Sequence, residues 1–366
     1  MDFQIRADSR ITAREISLPA SLRSEMGLLI GQFLELETSG HARVLQITGQ
    51  VGPNQETALV NPDVLAALEG PDIDYKILDV TLGCDPEFFV MWGDRRVCAS
   101  TYLPFAGQIG CDGELGELRP AYTRHENDLV ANIAKLVPQI PGRMKRASWA
   151  TGFPENGKGF RYEAHSYYLR IAAGFHVHLG IPPEILNTRK DFNRAAINHI
   201  VQCLDWHVGV PLVPLEVSHG RRLGNTQYGK PGDYRPSNVT LEYRVPGAFY
   251  LRSPQLTQGL LGMSLLVVEH TVSRMRVASR DFVDLHKLTP ADLQEVMPVP
   301  APKKILDTLT GEDTILARRE INSIRKGLEA LPNYRKHQKA VQGLFSAVEE
   351  QVQPSPDLLM NWKEST

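Results

Sequence analysis

Short strand-like apolar runs alternate with helix-spaced apolar stripes along this chain. The first 80 residues mix runs such as ARVLQITG with Gly and Pro breaks and read as an α+β lead-in without a chemical motif. From 78 to 120 the pattern predicts strands joined by a Gly-rich turn region, with Gly107, Gly110, Gly113 and Gly116 spaced every third residue. TRHENDLVANIAKL then reads as a helix: Thr123 and Glu126 have capping-box spacing, and Leu129, Ile133 and Leu136 form the apolar stripe. Strands return at HSYYLRIAAGFHVHLGI. A helix is expected over 188–207, with Phe192, Ala196, Ile200 and Cys203 on one face. A polar, Arg- and Gly-rich loop covers 218–238, followed by the strand VTLEYRVPG. Ser253-Pro254 starts a long helix carrying Leu256, Leu260, Val267 and Met275. The prolines of MPVPAPKK, 297–304, suggest a linker, the remainder is mainly helical, and the tail after Pro354 is expected to be mobile. No repeat of domain-building length is visible. These breaks divide the chain into a lead-in, 1–77, a core, 78–280, and a helical extension, 281–366.

Composition narrows the class. A chain of 366 residues, 42% hydrophobic and 22% charged, can bury an ordinary globular core. A net charge of −2 gives no general attraction to nucleic acid or an acidic membrane. The opening MDFQIRADSR is too charged for a secretory signal, and the apolar run LLGMSLLVV is too short to span a bilayer. Cys84, Cys98, Cys111 and Cys203 form no CxxC pair, so free, packed thiols and a cytoplasmic location are expected.

The chemistry is concentrated in polar segments set on strands. In GCDPEFFV, Asp85 and Glu87 are two residues apart and share one face of a strand. Like charges held together repel unless a cation lies between them. CDGELGELRP adds Asp112, Glu114, Glu117 and Arg119, and GFHVHLG places His176 and His178 on one face. The basic loop GRRLGNTQYGKPGDYRP carries Arg221, Arg222, Lys230, Tyr234 and Arg235, and LEYR supplies Glu242 and Arg244. Each segment has an ordinary structural explanation: a solvated strand face, turn acids, a structural histidine pair, a cross-strand salt bridge or a solvated loop. Together they point to chemistry. Carboxylates with waters suit Mg²⁺ or Mn²⁺, and a histidine shifts preference toward Mn²⁺. Arginine forks suit phosphate and carboxylate oxygens. Acids for a metal beside arginines for an anion imply phosphoryl chemistry. Neither a GxxxxGK[ST] loop nor a GxGxxG after a strand is present, so metals and arginines would hold a nucleotide's phosphates.

AAGFHVHLG closely resembles the Gly-x-His-x-His strand of glutamine synthetases, and the order acid-x-acid, glutamates, His-x-His, arginine loop, Glu-x-Arg agrees. Within that superfamily GCDPEFFV, IGCDGELGELRP, HVHLG and YGKPGDYRP most resemble the phage-associated COOH·NH2 ligases, the phiEco32-like amidoligase type 2 family, over about residues 80 to 250. The resemblance implies an α+β, glutamine synthetase-like fold: a curved antiparallel sheet backed by helices, with the site on the concave face. It implies ATP-dependent joining of a carboxylate to an amine through an acyl phosphate. Carried over, Asp85, His176 and Glu242 would hold one metal, and Glu87 and Glu117, with Glu114, another. His178 would lie near the nucleotide phosphates, with Lys230 on the cofactor side. Arg235 and Arg244 would bind the transferred phosphoryl group, assisted by Arg221 or Arg222. The number of acids predicts two ions, Mg²⁺ or Mn²⁺, alongside ATP. Asp85 departs from the family's glutamate. Pro86 removes a ladder donor, so this strand is expected at an edge or with a bulge.

Two other functions fit the same residues: a guanidino-kinase-like phosphotransferase on this fold, and a non-catalytic phage-derived binding or scaffold protein. Expected partners are a small-molecule or peptide carboxylate and an amine, with no membrane. Nucleic acid is not favoured by the near-neutral charge. An oligomer is open, because the chain is shorter than glutamine synthetase and that ring does not carry over.

Overall fold

The computed structural model describes residues 4–25, 30, 32–38, 41–49, 57–68, 74–78, 80–144, 159–186, 191–216, 220–223, 228–237, 239–311 and 314–362. Two sheets organise them. The first contains β1 (Gln4–Ala7), β2 (Glu15–Leu18), β3 (Phe33–Thr38), β4 (His41–Gly49), β5 (Thr57–Val60) and β6 (Asp74–Leu78), in the order β1-β5-β2-β4-β3-β6. It is mixed: β1 with β5 and β2 with β4 are parallel, the other pairs antiparallel. Ile16, Leu18, Leu34, Leu36, Leu45 and Ile47 form a core of its own.

The second sheet is antiparallel and centres on β7 (Thr81–Trp92). Its path runs from β15 (Tyr234–Pro236) through β16 (Thr240–Tyr243), β14 (Phe175–Gly180) and β7 to β10 (Leu115–Leu118) and β9 (Ile109–Asp112). The far half of β7 also pairs with β8 (Arg95–Val97) and β11 (Phe160–Glu163). A small hairpin, β12 (Tyr167–Tyr168) with β13 (Ile171–Ala172), precedes β14. The fold is thus α+β, an antiparallel sheet backed by helices.

Strand parity assigns the two faces. On the back, Leu82, Cys84, Phe88, Phe175, Val177, Leu179, Leu241 and Tyr243 are buried, and the helix Pro254–Ala278 packs against β7 and β14. Ser253 caps that helix by accepting from the Leu256 amide at 3.3 Å, and Pro254 occupies its first turn. Its residues are apolar on nearly every side because the helix Tyr334–Glu350 covers the side away from the sheet. His337 of that outer helix is fully buried, with Nδ1 3.0 Å from Glu126 and Nε2 3.1 Å from Glu269.

Several expectations change. β7 is internal, not an edge: Pro86 lies opposite Phe175 of β14, and the Glu87 amide donates to the Gly174 carbonyl at 2.9 Å. Amides alternate sides along a strand, so the donor that Pro86 lacks falls on the β10 side, where the ladder begins only at Glu87. Thr123 and Glu126 make no capping box. The helix starts at Glu126 with His125 as its N-cap, because Thr123 bridges Leu82 and the Glu126 carboxylate is taken by His337. Of the expected turn glycines, Gly110 and Gly116 lie within β9 and β10, and Gly116 makes room for the Phe88 ring. The helix expected over 188–207 is observed as Asp191–Leu204, with 187–190 and the Phe192 side chain outside the described residues. It continues as a π-helical turn, Asp205–Gly209. Cys98 is only half-buried, beside Ser100, whereas the other three thiols are buried. The tail is pinned through residue 362: Leu358 and Trp362 are buried and the Trp362 indole donates to the Leu251 carbonyl at 2.7 Å. Residues 363–366 lie outside the described residues.

The first sheet reaches the second through side chains. Phe33 packs edge-on against Tyr122 at 5.6 Å, Arg124 pairs with Glu35 at 2.5 Å, and Arg14 donates to the Arg119 carbonyl.

Candidate active site

The front face of the second sheet collects the chemistry by register alone. Asp85 faces His176 across β7 and β14, Glu87 faces Glu117 across β7 and β10, and His178 faces Glu242 across β14 and β16. Arg235 faces Glu242 across β15 and β16. Side chains directly opposite share a face, so strands far apart in sequence present acids, imidazoles and arginines to one surface.

At its centre His176 Nδ1 lies 3.3 Å from Asp85 Oδ1 and 3.6 Å from Glu242 Oε1. His178 Nε2 is 3.1 Å from Asp85 Oδ2. Among the described residues, Asp85, His176 and Glu242 form a group whose ligand atoms all lie within 4.8 Å of one another. Asp85 Oδ1, Glu242 Oε1 and His176 Nε2 are buried without a hydrogen bond. Buried polar atoms left without bonds are costly, and acids around an imidazole fit a divalent cation. Gly174 is required here: a Cβ would strike His176 Nε2 and the Arg221 guanidinium.

Burial opposes charge on Asp85, but the His178 and His176 imidazoles outweigh it and hold the carboxyl below the usual range. Burial pushes Glu87 up, against the charge of His176, the Gly174 amide and Arg221. His178 is raised, the nearby Asp85 carboxylate overcoming burial.

The remaining expected residues divide. Glu87 accepts from the Gly174 amide at 2.5 Å, and Glu117 pairs with Arg119, so both stand beside the central trio with other partners. Glu114 is not brought in: it lies in the β9–β10 turn and pairs with Arg96 at 2.8 Å. Arg235 and Arg244 both reach Glu242, at 2.6 and 3.1 Å. The Arg244 guanidinium also lies over the Tyr228 ring at 4.2 Å from its centroid. Arg221 and Arg222 are not loop-surface cations but buried ones. Arg221 donates to the Arg244 carbonyl at 2.6 Å, and Arg222 pairs with Glu216 at 2.9 Å. Burial lowers the Arg221 guanidinium against the charges of Glu87, Glu216 and Asp233. Lys230 is exposed. Within the loop expected over 218–238, residues 218–219, 224–227 and 238, including Gly224, lie outside the described residues.

Sequence reasoning missed Glu216, Tyr228 and Asp205. Only Tyr228, inside the quoted basic loop, carried a local signal.

A search of curated proteins finds no significant match. Among solved structures, a crystal structure of a bifunctional glutathione synthetase from Pasteurella multocida aligns with a TM-score of 0.33 and 11% identity, over 75% of this chain and 52% of that one. The chain thus spans about half the length of that protein, and a likeness of this size carries no activity over. A family model, Phage phiEco32-like COOH.NH2 ligase-type 2, matches residues 82–288, which contain β7, β14, β16 and the acid–imidazole–arginine face. That match takes in more than half of the chain, which therefore belongs to the phage phiEco32-like COOH·NH2 ligase type 2 family.

Proposed function

We propose that this chain is an ATP-dependent carboxylate–amine ligase working on the front face of the second sheet. The observation that carries it is the convergence of Asp85, His176 and Glu242, whose ligand atoms lie within 4.8 Å of one another, beside Arg235 and Arg244. Asp85, His176 and Glu242 would hold a divalent ion, Mg²⁺ or Mn²⁺. Glu87 and Glu117 would hold a second by exchanging their present partners. Such ions, when bound, neutralise phosphate charge.

In the first step a carboxylate oxygen of the acid attacks the γ-phosphorus of ATP, the bond to the β-phosphate oxygen breaks, and ADP leaves. In the second the amine attacks the carbonyl of the acyl phosphate, phosphate departs, and the amine loses its proton. The forks of Arg235 and Arg244 donate to oxygens of the group in transfer, releasing Glu242 as they do so. Their present pairing to Glu242 holds them at the site beforehand. His178 lies alongside the phosphates. The acid and the amine are small molecules or peptides. In the same proposal residues 78–280 form the catalytic core, and 1–77 and 281–366 are additions to it.

The test is a screen of acid–amine pairs for ADP release with Mg²⁺ or Mn²⁺, followed by mass spectrometry. Amide product with equal ADP supports the ligase. A stable phosphorylated product instead identifies a phosphotransferase, and no ADP with any pair argues for a non-catalytic protein.

A further inference from the structure

Behind the proposed active face, one buried carboxylate bonds β16 and the turn leading into β15, the two arms that carry the arginines. Asp205 stands in the π-helical turn Asp205–Gly209 and is 3% exposed. Its Oδ1 accepts from the Tyr243 hydroxyl at 2.8 Å and its Oδ2 from the Gly232 amide at 2.6 Å. Tyr243 lies on β16 between Glu242 and Arg244, and its ring points to the back while those two face the site. Gly232, at φ +78°, precedes β15 and Arg235. The same turn brings Gly209 so close that a Cβ there would sit 3.1 Å from the Tyr243 hydroxyl. The approach to β15 is tied further by Asp233, whose side chain accepts from the Gly229 amide at 2.7 Å and whose carbonyl accepts from the Arg244 amide at 3.0 Å.

We propose that Asp205 is a positioning residue for this reaction, fixing β15 and β16 together so that Arg235 and Arg244 meet the reacting phosphoryl group in register with Glu242. The role needs a carboxylate. Two donors, one on β16 and one in the turn that leads into β15, converge on it, and an aspartate offers an acceptor to each, whereas an asparagine offers one oxygen and presents a donor to the other. A π-helical turn is a costly way to place a side chain, and such turns recur where a residue must reach out of a helical frame. Burial pushes the Asp205 carboxyl up to about 7 against the Tyr243 and Gly232 bonds, with the Asp233 charge adding to the rise. A group held at such cost, with its side-chain hydrogen bonds among the described residues reaching β16 and the turn into β15, belongs to the β15–β16 hairpin rather than to the helix that carries it.

The proposal rests on the ligase reading for its kinetic arm only. Asp205→Asn keeps the shape and Tyr243→Phe removes one of the two donors. Hydrogen exchange on both variants should quicken in segments 228–237 and 239–245 together, about tenfold for Asp205→Asn and less for Tyr243→Phe, with the helix Pro254–Ala278 unchanged. In turnover, Asp205→Asn should lower kcat for ADP formation about tenfold while KM for ATP stays within about twofold, the signature of an interaction realised in the transition state. Unchanged exchange in both segments, faster exchange throughout the molecule, unchanged kcat, or a loss carried by KM each overturns the positioning role. Should the wild type form no ADP with any acid–amine pair, the ligase reading fails, and the exchange measurement still decides whether Asp205 fixes the hairpin.

Discussion

Two places in this molecule set a histidine between two carboxylates. Among the helices, His337 is closed on both sides: each ring nitrogen hydrogen-bonds a glutamate, Glu126 on one helix and Glu269 on another. Burial opposes charge on the ring, but both carboxylates outweigh it and raise the His337 pKa, favouring the form that donates from both nitrogens. On the front face of the second sheet, His176 lies between Asp85 and Glu242 at 3.3 and 3.6 Å, contacts too long or misaligned to close into hydrogen bonds, and Glu242 Oε1 also meets the Arg244 guanidinium at 3.1 Å. The residue types are the same and the completion differs. A cluster that satisfies itself needs no guest and joins helices. A cluster that brings two acids to an imidazole in a buried place without closing hydrogen bonds between them, beside arginines on a sheet face, has the chemistry of a cation site. Identity alone therefore says little about an acid–histidine cluster, and its unmet bonds say most.

The largest effect expected on that contrast comes from Glu242→Gln. It removes a carboxylate of the trio and the partner of both Arg235 and Arg244, so turnover should fall on the order of 10³-fold in ADP release. A variant that keeps wild-type turnover returns Glu242 to a cross-strand salt bridge. Arg244→Lys keeps the charge but loses the fork and the stacking on Tyr228, and should cost roughly 10²-fold in kcat. Near-normal kcat there would show that the guanidinium is only a structural partner of Glu242. The helical cluster should respond in stability instead. His337→Gln leaves two carboxylates facing an uncharged side chain and should lower the unfolding free energy by about 3 kcal/mol in a urea titration, with Mn²⁺ affinity unchanged. Loss of Mn²⁺ binding in that variant would erase the distinction.

The smallest effect is one of pH. His337 is raised in the folded state, so its contribution is complete below the unfolded imidazole value, about 6.5, and is lost as pH rises through the folded value. Glu126 and Glu269 are lowered, chiefly by His337 against the opposing effect of burial. Their contributions are present above the unfolded carboxylate range and vanish as pH falls through the folded values. The thermal midpoint of the wild type should fall as the solution is made alkaline, and by less in His337→Gln. Parallel curves for the two proteins would remove the charged form from the account.

The site's face was legible because strand parity is local. Asp85 with Glu87, and His176 with His178, each share a side by spacing alone, and the long helix announced itself through Ser253, Pro254 and its apolar content. What failed depended on distant partners. Glu126 looked like a capping residue because nothing nearby shows that residue 337 will claim it. Pro86 looked like an edge signal because the alternation of amides, which puts its missing donor toward β10, needs the pairing of β7 to be known. Arg221 and Arg222 were legible as arginines of a basic loop with a phosphoryl-assisting role expected, but their burial was not, because their partners, the Arg244 carbonyl and Glu216, meet them only after folding. Asp205 had no signal, since its bonds reach 27 and 38 residues ahead.

Anomalous scattering from Mn²⁺-soaked crystals tests the contrast most directly, because it sees both clusters in one experiment. A peak is expected within coordinating distance of Asp85, His176 and Glu242, and none at His337. An absent peak at the first cluster, or a peak at the second, would contradict that contrast.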